Sequence, residues 1–366
     1  MKLNLKTVAL LTTAIVSFSG SAMASSYSYG TNAAGTTVTA PEVTKQASAQ
    51  TAGLISARVS SAVSSATGNI SAGAAPAPAP ISTPTPTSSL QPGDKVSFST
   101  GNTSAAGDVA KRFGAWANAG VTHINNDQAG SEFSGNILTG LVGGDYLVND
   151  YLLVGLSGGY EHGDIDTTYN NGTLTSSGVT VAPYLAVIIN KYFSIDTSFG
   201  HTWVSYDESH GGVTGSTNGS RYFATVNGNA NTMIDNWQLG SSLGFLYTKE
   251  DQDAYSESNG TAVGKVKVRL GQARATERLG YLAPVSWGYV NPYGWARLEY
   301  DVSKTAAGVI DSKGTLASHS NFGTTFGLGV NFGLGDYTTL NVEGTTTQFR
   351  ENLQVYGGTA TIRVKF

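Results

Sequence analysis

Apolar and polar residues alternate along short segments of residues 113–366. The last segment is the clearest, because Tyr356, Ile362, Val364 and Phe366 fall on one face and polar residues fall on the other. A period of two indicates β-strands with one apolar face. About twelve such segments, each of roughly 10–16 residues, predict an all-β fold, an antiparallel up-and-down transmembrane β-barrel. The predicted strands begin near Phe113, Ser134, Tyr151, Ser176, Lys191, Arg221, Trp237, Lys265, Gly288, His319, Tyr337 and Leu353.

The connections between the predicted strands alternate between short and long. The predicted short turns are 148–150, 190–191, 234–236, 284–286 and 335–336. The predicted long loops are 124–133, 163–175, 207–220, 249–264 and 303–318. Outer-membrane barrels have short periplasmic turns and longer extracellular loops. The pattern therefore predicts a bacterial outer-membrane location, with the long loops extracellular and the C-terminus periplasmic.

Charged residues inside the predicted strands lie opposite the apolar faces, where they would line a polar lumen. The lumen-facing candidates are Lys265, Lys267, Arg269, Arg297, Glu299, Glu343 and Arg363. The alternative is the water-facing side of a soluble sheet, and the alternating connections favour the membrane. Aromatic residues near strand ends, as in interfacial girdles, support this interpretation. They are Tyr146, Tyr151, Tyr192, Phe193, Tyr206, Tyr222, Trp237, Tyr247, Trp287 and Tyr289.

Residues 1–24 have the pattern of a secretory signal peptide. A basic start is followed by an apolar stretch, 8–18, which is shorter than the roughly 18–20 residues of a membrane-spanning helix. Ala22 and Ala24 form a small-x-small cleavage site. The sequence thus predicts passage through the export translocon.

The next segments differ sharply in composition. Residues 25–42 are patternless and are predicted to be disordered, whereas the apolar residues of 43–66 approach helical spacing. Residues 67–112 are a Pro/Ala/Ser/Thr-rich linker that cannot pack a core. We predict that 43–66 is a helix in the pore of the barrel; a periplasmic or wholly disordered tail is the alternative. The pore-helix candidates are Leu54, Arg58 and Val59, and in such a helix we expect Arg58 to face the polar lumen.

Charge and composition exclude several classes of function. The 366 residues include 21 Lys+Arg against 25 Asp+Glu, a net charge of −4, which argues against nucleic acid as a partner. The chain has no cysteine, so disulfides and thiolate metal sites are excluded. The five histidines lack metal-site spacing, and Asp207-Glu208-Ser209-His210 is interpreted as a solvated loop. We therefore predict no catalytic residues, no cofactor and no metal.

Several segments together resemble the translocator domain of bacterial autotransporters, the type V secretion family. They are 141–146 (LVGGDY), 153–160 (LVGLSGGY), 181–185 (VAPYL) and 243–247 (LGFLY), and the resemblance extends over 113–366. It implies a monomeric twelve-stranded barrel in outer-membrane lipid, with a helix threaded through its pore. It also implies that the last strand, through Tyr356, Ile362, Val364 and Phe366, is the signal read by the β-barrel assembly machinery.

The family uses its barrel to bring an N-terminal passenger to the cell surface. Here the polar segment between the signal peptide and the barrel is too short and too poor in apolar residues to fold as a passenger domain. We therefore expect a very short passenger carried to or into the pore. A passive channel or structural barrel without secretion activity is the alternative, and an outer-membrane enzyme ranks behind both.

Overall fold

The computed structural model describes residues 33–67, 112–305, 320–335 and 337–366. The predicted signal peptide, with Ala22 and Ala24, and nearly all of the predicted linker lie outside these residues. Twelve long strands dominate the described chain. They are β1 Phe113–Asn126, β2 Phe133–Asn149, β3 Leu152–Thr167, β4 Gly172–Ile188, β5 Phe193–His210, β6 Val213–Ile234, β7 Trp237–Gln252, β8 Val266–Tyr281, β9 Gly288–Lys304, β10 Phe322–Leu334, β11 Thr338–Arg350 and β12 Leu353–Lys365.

The twelve strands form one closed antiparallel ring in chain order. Each strand pairs with its neighbours in sequence, and β1 pairs with β12 from Gly114↔Lys365 to Asn126↔Leu353. The predicted up-and-down barrel is therefore confirmed. Observed strand starts lie close to the predicted ones, except that β6 begins at Val213 and not near Arg221.

The outer surface of the ring is apolar. Leu328 is 74% exposed and Val142 is 62% exposed, as expected for side chains that face lipid and not a core. Most of the aromatic residues named above are exposed near strand ends, in agreement with the predicted girdles. Tyr206 and Tyr289 differ, because both are buried and face the lumen.

The strands extend further at one end of the barrel than at the other. We call the end where β1 connects to β2, β3 to β4 and β5 to β6 the long-hairpin rim, and the opposite end the short-turn rim. β6 has 22 residues, about twice the 9–11 that a tilted strand needs to cross a bilayer, so it extends well beyond the apolar girdle. The predicted long loop 207–220 is wrong: β5 and β6 continue to a two-residue turn at Gly211 and Gly212. Both glycines have positive φ, which suits a tight hairpin turn. The predicted loop 163–175 is likewise reduced to the short connection 168–171.

Two helices precede the barrel in the chain, α1 (Gly35–Val38) and α2 (Ala40–Ala66). α2 begins three residues before the predicted start, because Pro41 suits the first helical turn and Glu42 complements the helix dipole. α1 and the start of α2 correct the prediction that all of 25–42 is disordered. No helix in the described parts of the chain combines the length and apolar character of a membrane-spanning helix.

A buried network of ion pairs and a hydrogen bond ties four strands together inside the ring. Arg221 on β6, only 1% exposed, donates to Glu250 Oε2 on β7 at 2.6 Å and to Glu161 Oε1 on β3 at 2.6 Å. Tyr206 on β5 donates to the other Glu250 oxygen at 2.7 Å. Removing one partner of such a group leaves a charge buried without compensation, which costs more than the pair itself contributes.

The closed seam predicts the effect of changing the last residue. The ring of Phe366 lies 5.8 Å from that of Phe113, and its N–H donates to the Phe113 carbonyl at 2.9 Å. We expect Phe366→Ser to reduce the amount of folded barrel in outer membranes, measured by heat-modifiable mobility on gels. Phe349→Ser is the control. Phe349 is also exposed, but it lies next to the β11–β12 connection, at the rim opposite to Phe366. Equal levels for both variants and the wild type would contradict the assembly role of the last strand.

The ion-pair network generates a stability prediction. We expect Arg221→Met to lower the free energy of unfolding by about 3–5 kcal/mol, because Glu161 and Glu250 remain buried without their cation. The measurement is a urea titration of the refolded barrel. Lys249→Met removes a cation from a half-exposed pair with Asp251 and should cost at most about 1 kcal/mol. Similar losses for the two variants would show that the buried network contributes no more to the free energy of unfolding than an exposed ion pair does.

Candidate functional site: the lumen and its helix

Helix α2 lies inside the ring and packs against one wall of it. It contacts strands β3 to β8, where its apolar side chains join two clusters that include wall residues. In the larger cluster Leu54, Ile55 and Val59 pack with wall residues such as Phe223 and Leu246. The predicted pore helix is thus found in the lumen, and Leu54 and Val59 belong to its wall-facing side.

The second cluster seats the first turns of α2. Ala40, Val43 and Ala47 pack with wall residues that include Ile124 and Leu174. Many of the helix positions carry small side chains, so the helix axis can approach the wall closely. Burial of these apolar groups, at roughly 25 cal/mol per Å², favours the seated helix over a solvated one.

Polar side chains of α2 also bond to the wall. Each bond of this kind adds about 1 kcal/mol net, and more importantly it avoids an unsatisfied buried group. The bonds run at four levels of the barrel, which fixes the helix along its axis as well as around it. They are Thr44 Oγ1–Tyr206 Oη at 3.1 Å, Ser48 Oγ–Thr248 Oγ1 at 3.0 Å, Thr139 Oγ1–Gln50 Oε1 at 3.1 Å and Asn227 Nδ2–Ser56 Oγ at 3.1 Å.

The helix has a defined direction in the lumen. At its N-terminal side the Ala33 carbonyl accepts a bond of 2.9 Å from Asn170, in the β3–β4 connection. At its C-terminal side Val63 packs in the same cluster as Leu153 and Ile188, which lie at the short-turn end of β3 and β4. The chain therefore enters α2 at the rim with the long hairpins and leaves it at the rim with the short turns, where β1 also begins.

A cluster of buried polar side chains lies beside α1 at the long-hairpin rim. The Thr36 N–H donates to Glu208 Oε2 at 3.1 Å, and the Tyr255 hydroxyl donates to the other Glu208 oxygen. Burial raises the pKa of the Tyr255 hydroxyl, so it stays a neutral donor. His210 Nε2 lies 2.9 Å from Glu257 Oε1. Glu208 and His210 are thus buried at the end of β5, and the solvated-loop interpretation is wrong because β5 continues through these residues.

Three side chains of this group have the geometry of metal ligands. One ligand atom each from Glu208, His210 and Glu257 lies within 4.8 Å of the others. Both oxygens of Glu208 already accept hydrogen bonds, from Thr36 and Tyr255, and His210 is bonded to Glu257. Glu208 thus holds α1 to the wall, and the His210–Glu257 contact joins the end of β5 to the connection after β7.

The other side of α2 faces a cavity of about 320 Å³. Its lining continues from Lys304 near the long-hairpin rim to Thr339 near the short-turn rim, so the helix does not fill the lumen. Arg58 lines this cavity, as predicted for a residue facing a polar lumen.

Four of the seven lumen-facing candidates point into the ring. Arg297, Glu299 and Glu343 line the cavity, and Arg363 donates to Asp145 at 2.7 Å inside the barrel. Glu343 Oε2 accepts bonds from two neighbouring aromatic side chains on β9. These bonds are Tyr293 Oη–Glu343 Oε2 at 2.7 Å and Trp295 Nε1–Glu343 Oε2 at 2.9 Å.

The other three candidates, Lys265, Lys267 and Arg269, are exposed outside the ring. On β8 the inward positions are instead Val268 and Leu270, both buried. This end of β8 lies at the long-hairpin rim, where the outer face of the strand can meet water and can carry charge at little cost. Polarity therefore does not mark the lumen side there, and the prediction for these three residues is wrong.

Sequence reasoning missed two sets of inward residues. The Arg221 network was missed because its partners are 29 and 60 positions away in the chain. Arg274 and Arg278, which line the cavity, were missed although they continue the two-residue alternation of β8. That alternation would have identified them if the even positions had been assigned to the lumen.

A family model for the autotransporter beta-domain matches residues 115–345. No curated protein compared with the chain gives a significant match. The family-model match runs from β1 to most of β11 and covers more than half of the chain.

Solved structures of autotransporter barrels have the same fold. The translocator domain of autotransporter NalP from Neisseria meningitidis has a TM-score of 0.60 at 14% identity, covering 70% of this chain and 88% of that one. The beta domain of the Bordetella autotransporter Brka gives 0.58 at 18% identity, covering 70% and 100%. The transport unit of AIDA-I from Escherichia coli gives 0.53 at 16% identity, covering 71% and 92%. With a family match over most of the barrel, the chain belongs to the autotransporter β-domain family of outer-membrane proteins.

Proposed function

We propose that this barrel is a translocator that carries a very short N-terminal passenger through its own lumen to the cell surface. The direction of α2 supports this most strongly. Residue 33 stands at the long-hairpin rim, held by Asn170, and Val63 stands at the opposite rim. Long connections are extracellular in outer-membrane barrels, so the chain ahead of residue 33 leads out of the cell in this arrangement.

The proposed route begins with the signal peptide, which directs the chain to the export translocon and is cleaved after Ala24. The β-barrel assembly machinery then recognises the last strand, whose residues Tyr356, Ile362 and Phe366 are exposed on the outer face. In this proposal the barrel lies in outer-membrane lipid as a monomer, with the C-terminus periplasmic, and the exposed apolar girdle supports the lipid location. The protein performs no chemical reaction in this proposal.

A passive channel is the second candidate function. The cavity of about 320 Å³ beside α2 favours it, since the cavity lining extends between the two rims. A channel does not need the N-terminal segment to cross the membrane, so the position of that segment separates the two functions.

An epitope tag after Ser26 tests the proposed topology. We expect antibody and added protease to reach this tag on intact cells, because the chain ahead of α1 leaves the barrel at the extracellular rim. The reference tag is inserted between Gly211 and Gly212, where a Cβ would meet no atom within 4 Å at either glycine. If only the Gly211–Gly212 tag is reached, the barrel has the proposed orientation but the N-terminal segment is not exported.

Deleting the lumen helix tests its role as a plug. We expect deletion of Ala40–Ala66 to raise single-channel conductance in planar bilayers severalfold, because the helix occupies one side of the lumen along its length. A deletion of equal length in the linker, 76–102, is the matched control and should conduct like the full chain. Heat-modifiable mobility checks that both variants fold. Equal conductance of the two variants would contradict the plug.

A further inference from the structure

The cavity beside α2 carries an excess of positive charge. Seven Lys or Arg side chains line it, against four Asp or Glu side chains. The excess lies inside the ring, where charges interact more strongly than at an open surface. The partners of these side chains decide whether the excess is neutralised within the protein.

Most of the acidic groups are already engaged. Arg350 bonds to Asp301 at 2.8 Å and to Glu299 at 3.1 Å, and Lys45 bonds to Glu42 at 3.1 Å. The remaining acid, Glu343, accepts two bonds from aromatic side chains as described above. The carboxylates therefore leave part of the cavity's positive charge without a matched partner.

Three guanidinium groups each have a nitrogen donor without a hydrogen-bond acceptor in the described chain. Arg58 Nε on the helix and Arg274 Nη2 and Arg278 Nε on β8 are buried and have no hydrogen-bond partner in the described chain. The Arg278 guanidinium lies over the Tyr293 ring at 3.8 Å, which stabilises its charge through the face but leaves its edge donors free. A buried donor without an acceptor costs about 1–3 kcal/mol, and more when the group is charged.

The wall arginines form a ladder across two strands. Arg297 on β9 pairs with Thr276 in the β8–β9 register, and Thr276 lies between Arg274 and Arg278. Diagonal neighbours on paired antiparallel strands are about 7–8 Å apart, so Arg297 lies at that distance from both β8 arginines, whereas Arg274 and Arg278 stand about 13 Å apart along the strand. Arg58 lines the same cavity from the helix side.

We propose that this cavity binds small anions whose charged group is a carboxylate or a phosphate, and that Arg58, Arg274 and Arg278 supply the donors that bind them. The planar fork of a guanidinium matches the oxygen atoms of both groups and bonds to them in pairs. A neutral ligand would leave the charges uncompensated, and a cation would be repelled. The volume of about 320 Å³ admits a phosphate ion together with several waters, since one water takes about 30 Å³.

The test measures binding of radiolabelled inorganic phosphate to the full chain by equilibrium dialysis. The protein is folded in zwitterionic detergent at low ionic strength, so that no anionic lipid is present. We expect saturable binding that acetate and sulfate displace and that weakens at least tenfold in the double variant Arg274→Gln/Arg278→Gln. Arg58→Gln should also weaken it, and this variant leaves the barrel wall intact if the double variant does not fold.

The matched control is Lys267→Gln/Arg269→Gln, which removes two cations from the outer face of the same strand. Binding by this variant should equal that of the wild type. No saturable binding to the wild type would overturn the proposal, and so would binding that survives both Arg58→Gln and the double wall variant. An equal loss in the control would assign the binding to net charge and would also overturn it. None of these outcomes depends on whether the N-terminal segment is exported.

Discussion

The whole structure depends on closure of the backbone hydrogen-bond ring. In lipid an unpaired N–H or C=O has no water to bond to, so a sheet with two free edges cannot span a membrane. Pairing of β1 with β12 removes both edges, from Gly114↔Lys365 to Asn126↔Leu353. Closure also creates an inside, which is why polar side chains can be abundant in a protein whose outer surface is apolar. The lumen, its helix and its charges all exist because the ring is closed.

The lumen is asymmetric, and this asymmetry organises its contents. One wall, from β3 to β8, offers apolar side chains and hydroxyl groups to α2, and the helix packs there. The other side carries arginines and carboxylates and stays open as the cavity. A helix with a uniform surface would sit centrally or not at all. The helix here presents apolar side chains such as Leu54 and Val59 to one wall and Arg58 to the cavity, so its sequence matches both sides.

Much of the barrel was predictable from the sequence, because strand periodicity is local. Alternation gave twelve strands and the outward positions of Tyr356 and Ile362, and helical spacing identified the lumen helix. Features that depend on contacts between residues far apart in the chain, or on where a residue lies relative to the bilayer, were not predictable. Arg221 finds its carboxylates 29 and 60 positions away. Lys267 lies on the outer face because this end of β8 lies at the long-hairpin rim, and a sequence pattern does not show how far a strand extends.

The helix ends at the rim where the first strand begins, and this has a topological consequence. The chain runs through the ring as a thread, and residues 68–111 connect the end of the thread to the wall. The bonds between α2 and the wall run through side chains, whereas adjacent strands of the ring share backbone hydrogen bonds. Removing the thread would therefore leave the backbone hydrogen bonds of the ring complete.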